Sequence, residues 1–140
     1  MKNLALTIRQ PWAWAIFEAG KNIENRTWST GHRAKLWIHT SKQLILNGYS
    51  MKAEENRQAI AMIYGISEKV WAESSNEIAK ATGAIIGSVD LVGIKAIHRH
   101  PENPWHMDGQ YGWELENPVL LDRPIFCKGQ LGLWDCSEYL

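Results

Sequence analysis

Residues 8–28 read IRQPWAWAIFEAGKNIENRTW, and their order sets out a strand, a helix and a second strand. Leu4, Leu6 and Ile8 alternate with Ala5, Thr7 and Arg9, the period of a half-buried strand. Pro11 suits the first turn of a helix, where its missing N–H would have no partner anyway. Trp12, Ala15, Ile16 and Ala19 fall at helical spacing and make one apolar stripe, with Trp14, Phe17 and Lys21 on another face. Gly20 is a natural terminator, because glycine enters the left-handed conformation without steric cost. Residues 23–26 read as a short strand with Glu24 and Arg26 on one face. Lys21 then stands in the turn, and Glu24 and Arg26 point into the same space. A solvated face would supply such charges but not Trp12, Trp14 and Trp28 among them. A core helix would supply the indoles but not a Lys, a Glu and an Arg where it stops. The stretch reads as a functional site.

The rest of the chain reads mainly as β. Residues 35–40 form a strand with Leu36 and Ile38 on one face and Trp37 and His39 on the other. Residues 42–80 are helix-prone and read as a helical insertion lying against a barrel. Residues 83–98 make a long β segment, with Gly87 and Gly93 as bulges where the strand bends. A loop rich in His, Pro, Asn and Asp follows over 99–110. Short strands at 111–116, 119–121 and 130–135 close the chain. The fold class is mixed α/β, mainly β: a small barrel with peripheral helices, formed by residues 1–140 as a single domain.

Eight tryptophans in 140 residues are several times the usual share, more than a small barrel needs as core filler. Net charge is zero, but residues 1–52 carry a balance of +6 and residues 53–140 a balance of −6. Asymmetry of this kind suggests a basic patch for an anionic partner. Cys127 and Cys136 make neither a disulfide framework nor a metal knuckle. No apolar run approaches the twenty residues of a membrane span, and no signal peptide is seen. A cytoplasmic protein with free thiols is expected.

IRQPWAWAI followed by Lys21, Glu24 and Arg26 resembles the opening of the ASCH family, the activating signal cointegrator homology domains. The likeness continues in LWIHTSK (36–42), GAIIGSVDLVG (83–93), GQYGWELEN (109–117) and CKGQLGLWD (127–135). It covers nearly the whole chain in the expected order. It implies a PUA-like β-barrel, a fold of RNA-binding pseudobarrels, and a partner that is RNA, a nucleotide or a nucleoside. Some members of the family are nucleoside amidohydrolases and some are ribonucleases. Two departures stand out. The family's Gly-x-Lys is here Ala19-Gly20-Lys21, and the threonine that works with the lysine in the amidohydrolases falls on or near Glu24. The family's more distant glutamate has two candidates, Glu102 and Glu114.

Lys21 and Glu24 are therefore the candidate catalytic residues. A lysine stripped of solvent by indoles loses basicity and can serve as base or nucleophile near neutral pH, and a carboxylate can relay a proton or position water. The alternative is a structural ion pair of Glu24 with Lys21 or Arg26. Alternation favours Glu24 with Arg26, which would leave Lys21 free. Arg9 and Arg26 are candidates for phosphate, and Trp12, Trp28, Tyr111 and Trp113 for stacking on bases, or equally for the barrel core. His98, His100, His106 and Asp108 invite a metal reading, but no cysteine or close carboxylate completes a standard set, so no metal and no cofactor are expected. His39 beside Ser41 lacks the glycines of a nucleophile elbow and reads as a satisfied strand histidine. A non-catalytic RNA-binding module is the competing function. A protein-interaction domain anchored by Trp14 and Phe17 is a third.

Overall fold

The computed structural model describes residues 2–44, 68–97 and 102–140. Six strands are present among them: β1 (Leu4–Gln10), β2 (Ile23–Arg26), β3 (Lys35–Leu44), β4 (Ala84–Lys95), β5 (Tyr111–Phe126) and β6 (Leu133–Asp135). Helix α1 (Trp12–Glu18) joins β1 to β2, and two short helices, α2 (Glu68–Glu73) and α3 (Glu77–Lys80), precede β4. The strands form one curled half-barrel sheet in the order β2-β5-β4-β3-β1-β6. Only β1 and β3 pair in parallel, and every other pairing is antiparallel. This is the mainly β, PUA-like architecture expected. The greater part of the expected insertion, residues 45–67, lies outside the described residues. Around it, residues 41–44 continue β3 rather than begin a helix.

The sheet curls where glycines let the backbone approach itself. The β4–β5 register shifts at Ile85/Gly87 and again at Leu91/Gly93, as the bulge reading required. A Cβ on Gly87 would lie 2.4 Å from the Val119 carbonyl oxygen, and one on Gly93 would lie 2.6 Å from Glu114 Oε1. The strands expected at 111–116 and 119–121 are one strand. Asn117 takes φ +50° between them and donates to Asp90 Oδ2 at 2.9 Å. Asparagine tolerates that left-handed conformation, so the chain bends there without leaving the sheet.

Leu6 and Ile8 from β1, Leu36 and Ile38 from β3 and Ile86, Val89 and Leu91 from β4 meet Ile16 of α1 and Trp113 of β5 in the main core. On the other face of β1, Ala5 is buried against Ile85, Trp134 and Cys136, while Arg9 is exposed. Helix α1 is enclosed on two sides. Its Trp14 is buried, meets Trp71 edge-on at 5.7 Å and donates its indole N–H to Ser74 Oγ at 3.1 Å. Phe17 packs on the main core over Gly87. Trp14 and Phe17 are therefore not exposed anchors, because α2 and α3 cover the face that a single apolar stripe would have left to solvent. Gln10 fixes the helix in place: its Oε1 accepts from Trp14 N at 2.8 Å, and its Nε2 donates to the carbonyls of Ala79 and Ala81.

Candidate functional site

The site begins at the end of α1. Gly20 takes φ +70°, and Lys21 N then donates to the Ala15 carbonyl at 3.1 Å. That turn folds the Lys21 side chain back under Trp12, with Nζ 5.6 Å from the ring centre. β2 follows as an edge strand on β5, with Glu24 opposite Trp113 and Arg26 opposite Tyr111. Strand alternation puts Glu24 and Arg26 on one face.

Glu24 bridges both cations. Oε1 accepts from Lys21 Nζ at 2.7 Å and Oε2 from Arg26 Nη2 at 3.0 Å. The expectation that Glu24 would pair with Arg26 and leave Lys21 free is corrected: the folded-back turn gives each carboxylate oxygen its own cation. Arg26 Nη2 also donates to the Thr7 carbonyl at 3.0 Å, and its buried Nε has no hydrogen-bond partner among the described residues. Lys21 is 2% exposed and Glu24 7%. Burial lowers the pKa of Lys21 against the pull of Glu24. Burial alone would raise Glu24, but the two cations outweigh it and hold the carboxyl below its ordinary value. Arginine does not deprotonate in this range, so the proton that this triad can release is the one on Lys21.

Above the triad lies a surface cavity of about 1200 Å³. Of the residues singled out in the sequence, Arg9, Trp12, Glu24 and Arg26 line it. Lys21 stands behind Glu24. Trp113 is fully buried, meets Trp28 edge-on at 4.8 Å and donates to the Trp28 carbonyl at 3.1 Å. Trp28 and Tyr111 pack against the same core. Neither Glu102 nor Glu114 borders the cavity, and Glu114 lies against Gly93.

The far wall was not foreseen. It comes from Lys42, Phe126 and the turn from Cys127 to Gly132. His39 ties that turn to the sheet. Its Nε2 lies 2.8 Å from the Cys127 carbonyl, which can only accept, so Nε2 carries the hydrogen. Nδ1 then accepts from the Thr7 hydroxyl at 3.1 Å, and that hydroxyl accepts from Trp134 Nε1 at 3.1 Å. His39 is thus the satisfied strand histidine expected, and burial lowers its pKa. A Cβ on Gly129 would lie 2.7 Å from both the His39 ring and Thr7 Oγ1, so only glycine lets the turn sit this close. The one signal for this wall was the CKGQLGLWD motif itself, whose glycines have no local reason to be there.

Among the described residues, Arg9, Arg26, Lys42 and Lys128 give the cavity four cations against one carboxylate. Three of the four come from the basic first half of the chain. Among the described residues no group of His, Cys, Asp and Glu could hold a metal ion. His106 is buried and bonds the Gln110 carbonyl through Nε2 at 2.6 Å, while His98 and His100 lie outside the described residues. Both cysteines are free. No helix among the described residues is long and apolar enough to cross a membrane.

The curled, mostly β half-barrel sheet is that of the PUA-like class. Within it, the ASCH domain matches residues 6–123, and the chain belongs to that family, which is associated with RNA binding. It is 23% identical over 133 residues to activating signal cointegrator 1 of Homo sapiens, and equally so to that of Mus musculus. Each match takes in 92% of this chain but 21% of the relative, so the chain spans about a fifth of their length.

Proposed function

We propose that this ASCH protein binds RNA, as a single strand or as its nucleotide or nucleoside components, in the cavity above Glu24. The observation that supports it best is that Trp12 lines the same cavity as Arg9, Arg26, Lys42 and Lys128. An indole face can stack on any base, worth roughly 1–3 kcal/mol. Fixed cations grip phosphate and release counterions as they do so. Arg26 suits a phosphate, because its guanidinium is already oriented by Glu24 and Thr7.

Fluorescence anisotropy of a labelled single-stranded RNA across a salt series tests this reading. Affinity falls linearly on a log–log plot, and Arg9→Ala lowers the slope by roughly 0.7. Salt-independent binding, or none at low salt, contradicts it.

A hydrolytic step is the second reading. What favours it is a buried lysine of lowered pKa one hydrogen bond behind a cavity-lining carboxylate. For an acylated base, neutral Lys21 would take a proton from the attacking water through Glu24. The resulting ammonium would return it to the departing amine, giving a carboxylic acid and the free base. For RNA cleavage, charged Lys21 would instead steady the negative charge that develops on the phosphoryl oxygens. Lys21→Arg separates the two, since arginine keeps the charge and does not deprotonate. Activity retained by that variant eliminates the proton-transfer role.

A further inference from the structure

The cavity is larger than one nucleoside needs, and Trp12 and Phe126, which line it, come from separate parts of the fold. Pockets that hold a single drug-sized ligand run roughly 300–1,000 Å³, against about 1200 Å³ here. One wall is Trp12 with Arg9, Glu24 and Arg26. The other is Phe126 with Lys42, Lys128 and the turn that His39 anchors. Arg26 is paired with Tyr111 at the start of β5, and Phe126 is the last residue of that strand. Curling of the sheet lets Arg26, paired with the start of β5, and Phe126, at its end, border one space.

Phe126 is 70% exposed although it lies in a β-ladder opposite Ala84. Lys42 and Lys128 line the cavity with it. The Lys42 stem runs over Gly83, 3.0 Å from where a Cβ would stand, and the Gly83 carbonyl accepts from Cys127 N, the residue before Lys128, at 3.1 Å. An exposed aromatic face that shares a cavity with two ammonium groups complements a base joined to a phosphate.

We propose that the cavity seats two consecutive nucleotides of a single strand, one base on Trp12 and the next on Phe126, with the phosphate between them held by Lys42 and Lys128. This rests on the binding reading above and names its footprint. Stacking faces and point charges carry no base identity, so the affinity that they supply is sequence-tolerant.

Calorimetric titration of adenosine 5′-monophosphate and of the 5′-phosphorylated adenosine ribodinucleotide tests it, on the wild type and on Phe126→Ala and Lys128→Ala. Both side chains are exposed at the surface, and an unchanged melting temperature establishes that the variants are folded. One stacked base corresponds to roughly 5- to 150-fold in affinity. The dinucleotide is expected to bind at least tenfold more tightly than the mononucleotide, and Phe126→Ala to abolish most of that gain. Lys128→Ala should lower the salt slope for the dinucleotide by roughly 0.7. Equal affinities for the two ligands, or a gain that survives Phe126→Ala, overturn the two-nucleotide footprint and leave the binding reading standing. Binding of neither ligand overturns both.

Discussion

Lys21 meets the cavity through Glu24: its Nζ sits 2.7 Å from Glu24 Oε1, with the lysine side chain 1% exposed and the glutamate on the cavity wall. The ion pair was legible as one of two alternatives, but its depth was not. Removing the carboxylate charge strands two cations, whereas removing the lysine leaves Glu24 its partner in Arg26. Glu24→Gln should therefore cost about 3–5 kcal/mol, the range for a broken buried pair. Lys21→Met should stay within the roughly 0.5–3 kcal/mol of ordinary substitutions. Urea denaturation measures both, and the reverse order would show that Arg26 does not share the carboxylate.

The same triad sets the response to pH. Glu24 titrates below its ordinary 4.5 in the folded protein, so the stability it contributes is present above 4.5 and is lost as pH falls through the folded value. Lys21 titrates below its ordinary 10.5. The unfolded chain then binds more protons than the folded one between the lowered value and 10.5, so stability rises with pH across that window. Cys127, Cys136 and Tyr139 titrate above their ordinary values and pull the other way in both proteins, so denaturation midpoints over an alkaline pH series should rise in the wild type relative to Lys21→Met. A wild type that falls relative to the variant would mean that folding raises the lysine instead.

The aromatic residues divide into core and cavity, and their substitution should divide likewise. Trp113 is wholly buried against Trp28, so Trp113→Ala should cost about 3–5 kcal/mol. Trp12 is half-buried and lines the cavity, so Trp12→Ala should lose less stability and more RNA affinity, roughly tenfold or more by the worth of one stacked base. Equal stability losses with no affinity loss at Trp12 would move it into the core.

Two glycines should resist alanine for different reasons. At Gly87 the added carbon meets a backbone carbonyl at 2.4 Å, which cannot turn aside, so Gly87→Ala should cost about 1–3 kcal/mol or more. At Gly129 it meets the His39 ring and Thr7 at 2.7 Å. There the turn can move outward, so Gly129→Ala should weaken ligand binding more than it weakens the fold. Melting curves and RNA titrations of the two variants test the contrast, and an unaffected ligand affinity in Gly129→Ala would free the turn from any part in the site.

What the sequence showed was local. Gly20 ending α1, Glu24 and Arg26 on one face and the bulges at Gly87 and Gly93 follow from backbone preference and alternation within a few residues. What it hid was distant. His39 meets Cys127 across 88 positions and Gln10 meets Ala79 across 69, and no spacing rule reports contacts of that separation. Trp14 read as surface because the helices that cover it come sixty positions later. Trp12 and Trp113 carried the same signal, since an indole beside charged residues looks alike in a cleft and at the edge of a core. Lys128 and Phe126 gave no sign until the turn after β5 was placed opposite Arg9.

The most direct test of the account is an NMR titration that follows the indole N–H signals while single-stranded RNA is added. The Trp12 signal should shift and broaden. The signals of Trp14 and Trp113, bonded to Ser74 and to the Trp28 carbonyl, should hold still. Shifts confined to Trp14 or Trp113, or a Trp12 signal unmoved at saturating RNA, would contradict binding in the cavity above Glu24.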